Sequence, residues 1–234
     1  FALPVIKGDD GKNEITPGYF RPASARSRFI AACVENNLGP RPALVMRKDI
    51  TSTLNLRGQY MGDAIASNLA IALEVMPYLQ HLDLAGNCLT DAGIRVIADS
   101  LPVCTTLIGL DLSDNNFGHT ALDCIAALLD NEECHIQKLM VQQCNICDTH
   151  LVRFLETIGV KTSLTHLDLS RNKIGAPENI AVHGSDSIGV RALASIVAHP
   201  SCNIEVLNLA WNSIHRCFPL LANAIQNNVS ITTL

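Results

Sequence analysis

The sequence predicts an α/β solenoid: a right-handed coil of repeated units, with a parallel sheet on its concave side, helices on its convex side and an N-terminal helical cap. Three observations lead there. The stretch "LQHLDLAGNCL" at residues 79–89 returns almost letter for letter as "LTHLDLSRNKI" at 164–174. The pattern starts at Thr51, Leu79, Leu107, Ile136, Leu164, Ile204 and Ile231, at spacings of 28, 28, 29, 28, 40 and 27 residues. After each pattern the apolar period changes from that of a strand to that of a helix. A fixed period of this length outranks any local signal, because one such unit cannot bury its own apolar face and must stack on its neighbours.

Taken in order, residues 1–49 form an N-terminal extension and cap. Residues 1–23, opening "FALPVIKGDDGKNE", are punctuated by Gly and Pro and carry no period. "ASARSRFIAACVENNL" then offers a helix with Ser24 as its cap and Phe29, Ile30, Cys33 and Leu38 on its apolar side. The first unit of a solenoid exposes its core, so residues 24–49 are expected to cover it. The repeat array occupies residues 50–234. Each unit opens with a short strand and closes with a helix of about three turns. The helical stripes are Ile94, Ile97, Ala98 and Leu101; Leu122, Ile125, Ala126 and Leu129; Leu151, Phe154, Leu155 and Ile158; Val190, Leu193, Ala194 and Val197; and Phe218, Leu221, Ala222 and Ile225. Strand then helix in one direction gives a parallel sheet. The fifth unit is about eleven residues longer than the rest, and its extra segment, "GAPENIAVHGSD", reads as a loop. "ITTL" opens a seventh strand, so the array is expected to continue past Leu234, and from a start without methionine the true N-terminus is expected upstream.

Composition narrows the function classes. Residues 1–49 carry eight Lys/Arg against five Asp/Glu, and residues 50–234 carry nine against seventeen. An acidic body repels phosphates, so nucleic acid is not expected as a partner, and a basic protein surface is favoured. No apolar run reaches the roughly 20 residues of a membrane span. Nine irregularly spaced cysteines do not form a disulfide framework and read as reduced residues of an intracellular protein.

Two kinds of letter make up the pattern. Leu82 and Leu84, with Leu110 and Leu112, Leu167 and Leu169, and Leu207 and Leu209, are expected to point inward. Asn87, Asn115, Asn172 and Asn212 sit where the strand turns, and a buried amide there pairs backbone groups that water cannot reach. Cys144 holds that position in the fourth unit. The other strand residues face the concave surface in rows set by the strand spacing. One row reads Asn55, Asp83, Asp111, Met140, Asp168, Asn208. The row before it reads Thr53, His81, Gly109, Lys138, His166, Val206. The row before the asparagine reads Gly58, Gly86, Asp114, Gln143, Arg171, Trp211.

From these rows come the candidate binding residues. Asp83, Asp111, Asp114 and Asp168 have no evident internal partner and suit a basic ligand. His81, Lys138 and His166 flank them. Trp211, the one tryptophan, lies beside Arg171, and Trp and Arg are interface anchors. Glu178, His183 and Asp186 belong to the insertion, which maps to a rim of the array. Each also has a bland alternative, as a solvated strand residue or a tolerated loop. Zinc is not expected. Cys144 and Cys147 form a CxxC, but Cys134 and His135 lie about 30 Å off along the extended strand, and His150 follows the turn. No Gly-rich phosphate loop, GxSxG or HExxH is present, so no cofactor and no catalytic residue is expected.

The pattern resembles the leucine-rich repeat in its long, ribonuclease-inhibitor-like class, over residues 51–234. That resemblance implies a horseshoe that binds protein on its concave face without enzymatic activity. Several proteins of this class resemble subunits of ciliary or cytoskeletal assemblies, which implies a cytoplasmic or axonemal place within a larger structure. The repeats are also similar to those of the Ran GTPase-activating protein, whose activity would require an arginine or asparagine at the rim; Arg57, Arg171 and Asn115 are the stand-ins. A cytosolic inhibitor, or the sensor region of a nucleotide-binding immune receptor, is a further alternative.

Overall fold

The computed structural model describes residues 24–39, 51–159, 163–176 and 187–234. After helix α1 (Ala25–Glu35), strands and helices alternate: β1 (Thr53–Asn55), α2 (Gly62–Leu73), β2 (His81–Asp83), α3 (Asp91–Ser100), β3 (Gly109–Asp111), α4 (His119–Asp130), β4 (Lys138–Met140), α5 (Asp148–Ile158), β5 (His166–Asp168), α6 (Ile188–Val197), β6 (Val206–Asn208) and α7 (Phe218–Gln226). The strands form one parallel sheet in sequence order. Its register is the sequence period, so Asn55, Asp83, Asp111, Met140, Asp168 and Asn208 are neighbours across it. This is the α/β solenoid of stacked strand–helix units that the sequence predicts. A sixth pairing along the sheet, a single parallel bridge, joins Val206 to Thr233.

Leu82, Leu84, Leu110, Leu112, Leu167, Leu169, Leu207 and Leu209 are all buried in one continuous core with the inner stripes of the helices. α7 departs from its expected stripe. Among the described residues no further helix packs beyond it; Phe218 is half exposed and only Leu221 and Ala224 are buried. α1 packs on α2 with Phe29 and Cys33 fully buried, Ser24 accepts a hydrogen bond from Ser27 N, and Asn36 Nδ2 donates to Asn68 Oδ1 at 2.7 Å.

Two ladders hold the units together. In the first, each turn asparagine donates to carbonyls of its own unit and the one before, and accepts from the preceding unit's amides. Asn115 Nδ2 reaches Leu84 O, Leu112 O and Ser113 O, while its Oδ1 accepts from Asn87 N and Leu89 N. Asn87, Asn172 and Asn212 repeat the arrangement. Cys144 substitutes with longer bonds, from Sγ to Leu112 O at 3.4 Å and Gln142 O at 3.3 Å. The second ladder uses acids at the helix starts. Asp63 accepts from Thr90, Asp91 from Gly118 N and Ala121 N, and Asp148 from Gly175 N and Ser187 Oγ. A Cβ at Gly93 or Gly189 would collide with the Asp63 or Asp148 carboxylate, so these two rungs require glycine on the facing helix.

Candidate functional site

The row between the paired leucines has a local duty. Asp83, Asp111 and Asp168 each accept a hydrogen bond through Oδ1 from the backbone N–H two residues on, at 2.8–3.0 Å. Asn55 and Asn208 do the same. Asp and Asn are favoured at such turns because the short side chain reaches its own backbone. The second carboxylate oxygen is also taken. Arg57 donates from Nε to Asp83 Oδ2 at 3.0 Å and from Nη2 to Asp111 Oδ2, with Asp114 Oδ2 at 4.0 Å. Asp168 Oδ2 accepts from Asn208 Nδ2 at 2.9 Å. The expectation that these acids have no internal partner is therefore corrected: a long arginine reaches across two units, which no local pattern foretells. Asp111 is buried, whereas Asp114 is exposed. Burial lowers the Arg57 pKa, but the charge of Asp111 and the hydrogen bond and charge of Asp83, with Asp114, outweigh it and leave the pKa raised. Three carboxylates against one guanidinium leave this half of the face at a net of −2.

The row before the asparagine is the residue-level surprise. All six of its members have left-handed backbone: Gly58 (φ 67°), Gly86 (φ 66°), Asp114 (φ 55°), Gln143 (φ 54°), Arg171 (φ 56°) and Trp211 (φ 61°). Glycine adopts this conformation freely; an L side chain pays roughly 1–2 kcal/mol. Units one and two use the cheap solution and units four to six do not. The three side chains so held line one shallow concavity of 250 Å³. Trp211 is 79% exposed, and the Arg171 guanidinium lies 5.8 Å from the centre of its ring. Among the described residues Arg171 forms no ion pair.

The remaining candidates are scattered along the same face. His81 lies across Gly109, where a Cβ would come within 2.6 Å of its Nδ1. Lys138 is exposed on β4, and His166 Nδ1 is 2.8 Å from Thr165 Oγ1. Glu178, His183 and Asp186 lie outside the described residues. Cys144 is buried, and its thiol is pushed up to about 12 by desolvation. Asn115 is committed to the backbone ladder.

Comparison with known proteins agrees with the repeat geometry. A family model described as "Leucine Rich repeat" matches residues 75–98, 103–126 and 160–177. Ribonuclease inhibitor of Mus musculus is 28% identical over 185 residues, 79% of this chain and 36% of that protein. The NACHT, LRR and PYD domains-containing protein 14 of Homo sapiens is 28% identical over 158 residues, 67% of this chain and 13% of that protein. The chain thus spans between 13% and 36% of the length of these two relatives. A solved chain of leiomodin-1 actin-binding site 2 is 17% identical, with a TM-score of 0.42, covering 50% of this chain and 68% of that one; a likeness of that degree carries no argument about actin.

Proposed function

Starting from a chain that is a leucine-rich-repeat protein of the ribonuclease-inhibitor-like type, we propose that it is a non-enzymatic protein-binding scaffold whose contact surface is the concave face. One observation carries this: a tryptophan and an arginine are kept, exposed and in cation–π contact, at left-handed positions where two other members of the row are glycine. Strain held by a rigid scaffold concentrates at functional sites. Exposed Trp and Arg are the residue types most enriched among binding anchors. The half of the face around Asp83, Asp111 and Asp114 keeps its negative surplus for a basic patch of the partner. Glu178, His183 and Asp186 of the insertion are included in this proposal as further contact residues.

A GTPase-activating role needs a free arginine or asparagine at the rim. Arg57 is engaged by carboxylates and Asn115 by carbonyls, which leaves Arg171, beside the Trp211 ring and without an ion pair among the described residues, as the stand-in for that second reading. The resemblance to ciliary and cytoskeletal subunits extends the proposal to a place within such an assembly. Among the described residues no helix is long and apolar enough to cross a membrane.

Site-specific photo-crosslinking tests the proposal. A benzophenone side chain at position 140 or 211 should give protein adducts, and one at position 99 or 156, on the outer helices, should give none. Adducts confined to 99 and 156 would contradict a concave contact surface.

A further inference from the structure

The concave face changes sign along the solenoid. Units one to three carry Arg57 against Asp83, Asp111 and Asp114, a net of −2. Among the described residues, the strand segments of units four to six carry Lys138, Arg171 and Lys173 against Asp168 and Glu205, a net of +1. Asp168 accepts from Ser170 N through one oxygen and from Asn208 Nδ2 through the other, and it forms no ion pair with Arg171. The positive half holds the concavity formed by Gln143, Arg171 and Trp211.

We infer that this concavity receives a carboxylate-bearing segment of a protein partner, so that the partner is acidic here although it is basic where it meets Asp83, Asp111 and Asp114. The inference rests on the scaffold proposal and names the partner's chemistry at one end of it. A guanidinium with no ion pair among the described residues offers a planar fork matched to a carboxylate. The Trp211 ring holds that fork from one side through the cation–π contact, which limits the freedom it loses on binding. The neutral amide of Gln143 completes the wall as a donor and acceptor. The ring itself, 79% exposed, covers the apolar stem of an approaching Glu side chain. Glycine at these positions would remove the strain, and Gly58 and Gly86 show that the row folds with it.

Labelled hexaglutamate and hexalysine, followed by fluorescence anisotropy against the whole chain, test the inference. Hexaglutamate should bind and change the emission of Trp211, which is the one tryptophan in the chain. Arg171→Gln and Trp211→Gly should each weaken its binding at least tenfold, while Asp99→Lys leaves it unchanged. Trp211→Gly should also melt no lower than the parent, so that loss of binding is not loss of fold. Hexaglutamate that fails to bind, or binds equally to both variants, overturns the inference. So does binding of oligouridylate at Trp211 in its place, which would make the site a base-stacking platform. Failure of the inference alone is recognisable: hexalysine would still bind and would lose affinity in Asp114→Lys. Failure of the scaffold proposal would show as crosslinks on the outer helices and no binding by either peptide.

Discussion

Arg57 and Asp111 sit two units apart in the solenoid and are joined by an ion pair across the intervening β2 strand. The Asp111 carboxylate is 8% exposed and the arginine 48%. Removing the exposed partner strands the buried one. Arg57→Ala should therefore cost about 1–2 kcal/mol, the lower figure reflecting solvent around the arginine. Asp111→Asn keeps the turn hydrogen bond, as Asn55 and Asn208 do, and should cost less. Chemical denaturation of the two variants checks the order.

The asparagine ladder predicts unequal costs for equal substitutions. Asn115→Ala deprives three carbonyls and two amides of a partner in a dry turn and should cost about 3–5 kcal/mol. Asn212 is only partly buried and bonds two carbonyls and one amide, and the same change there should cost about 1–2 kcal/mol. Equal losses in urea midpoints would count against a burial-dependent ladder.

Gln143→Gly should stabilise the fold. The backbone at 143 has φ 54°, and the side chain makes no cation–π contact that would be lost. Relief of left-handed strain exceeds the extra freedom glycine gives the unfolded chain, for a gain of about 1 kcal/mol. A thermal midpoint raised by roughly 2–4 °C is the expected reading; a lowered midpoint would show that Gln143 is held by something other than strain.

Burial sets the cysteine chemistry. Desolvation raises the Cys144 thiol to about 12 and the Cys104 thiol to about 11. Both groups have a folded pKa above the ordinary value of 9.0, so the folded state holds protons that the unfolded chain releases. Their contribution to stability is complete below pH 9 and is lost as the pH rises toward 11 and 12. Stability should accordingly fall on the alkaline side, and Cys144→Asn should flatten that fall. In native labelling with iodoacetamide, exposed Cys88 should react while Cys144 and Cys104 remain unmodified until the chain unfolds.

Much of this was legible in the letters. A period near 28 residues fixes the strand register outright, because parallel stacking leaves each strand one neighbour position to occupy. The inward leucines and the asparagine turns follow from it. The left-handed row also left a trace, since Gly58 and Gly86 mark a backbone that glycine suits, but the same conformation at Arg171 and Trp211 is visible only in the dihedrals. The turn duty of Asp83 is a local signal too, an Asp followed two residues on by an N–H it can reach. Its second bond to Arg57 is not local. It depends on an arginine 26 residues earlier having the length to lie along the sheet, and nothing in either unit alone encodes that.

The most direct measurement takes the partner identified by crosslinking and compares its affinity for two double variants. Arg171→Gly with Trp211→Gly removes the stacked pair while preserving the backbone that the row prefers. Asp99→Lys with Glu156→Lys changes the outer helices instead. Loss of an anchor pair from a binding face costs about 2 kcal/mol or more, so the first should weaken binding at least roughly thirtyfold and act mainly on dissociation. The second should shift affinity by less than about threefold and lose even that effect at high salt. Equal weakening by both pairs, or a larger loss from the outer-helix pair, would contradict a concave binding surface centred on Arg171 and Trp211.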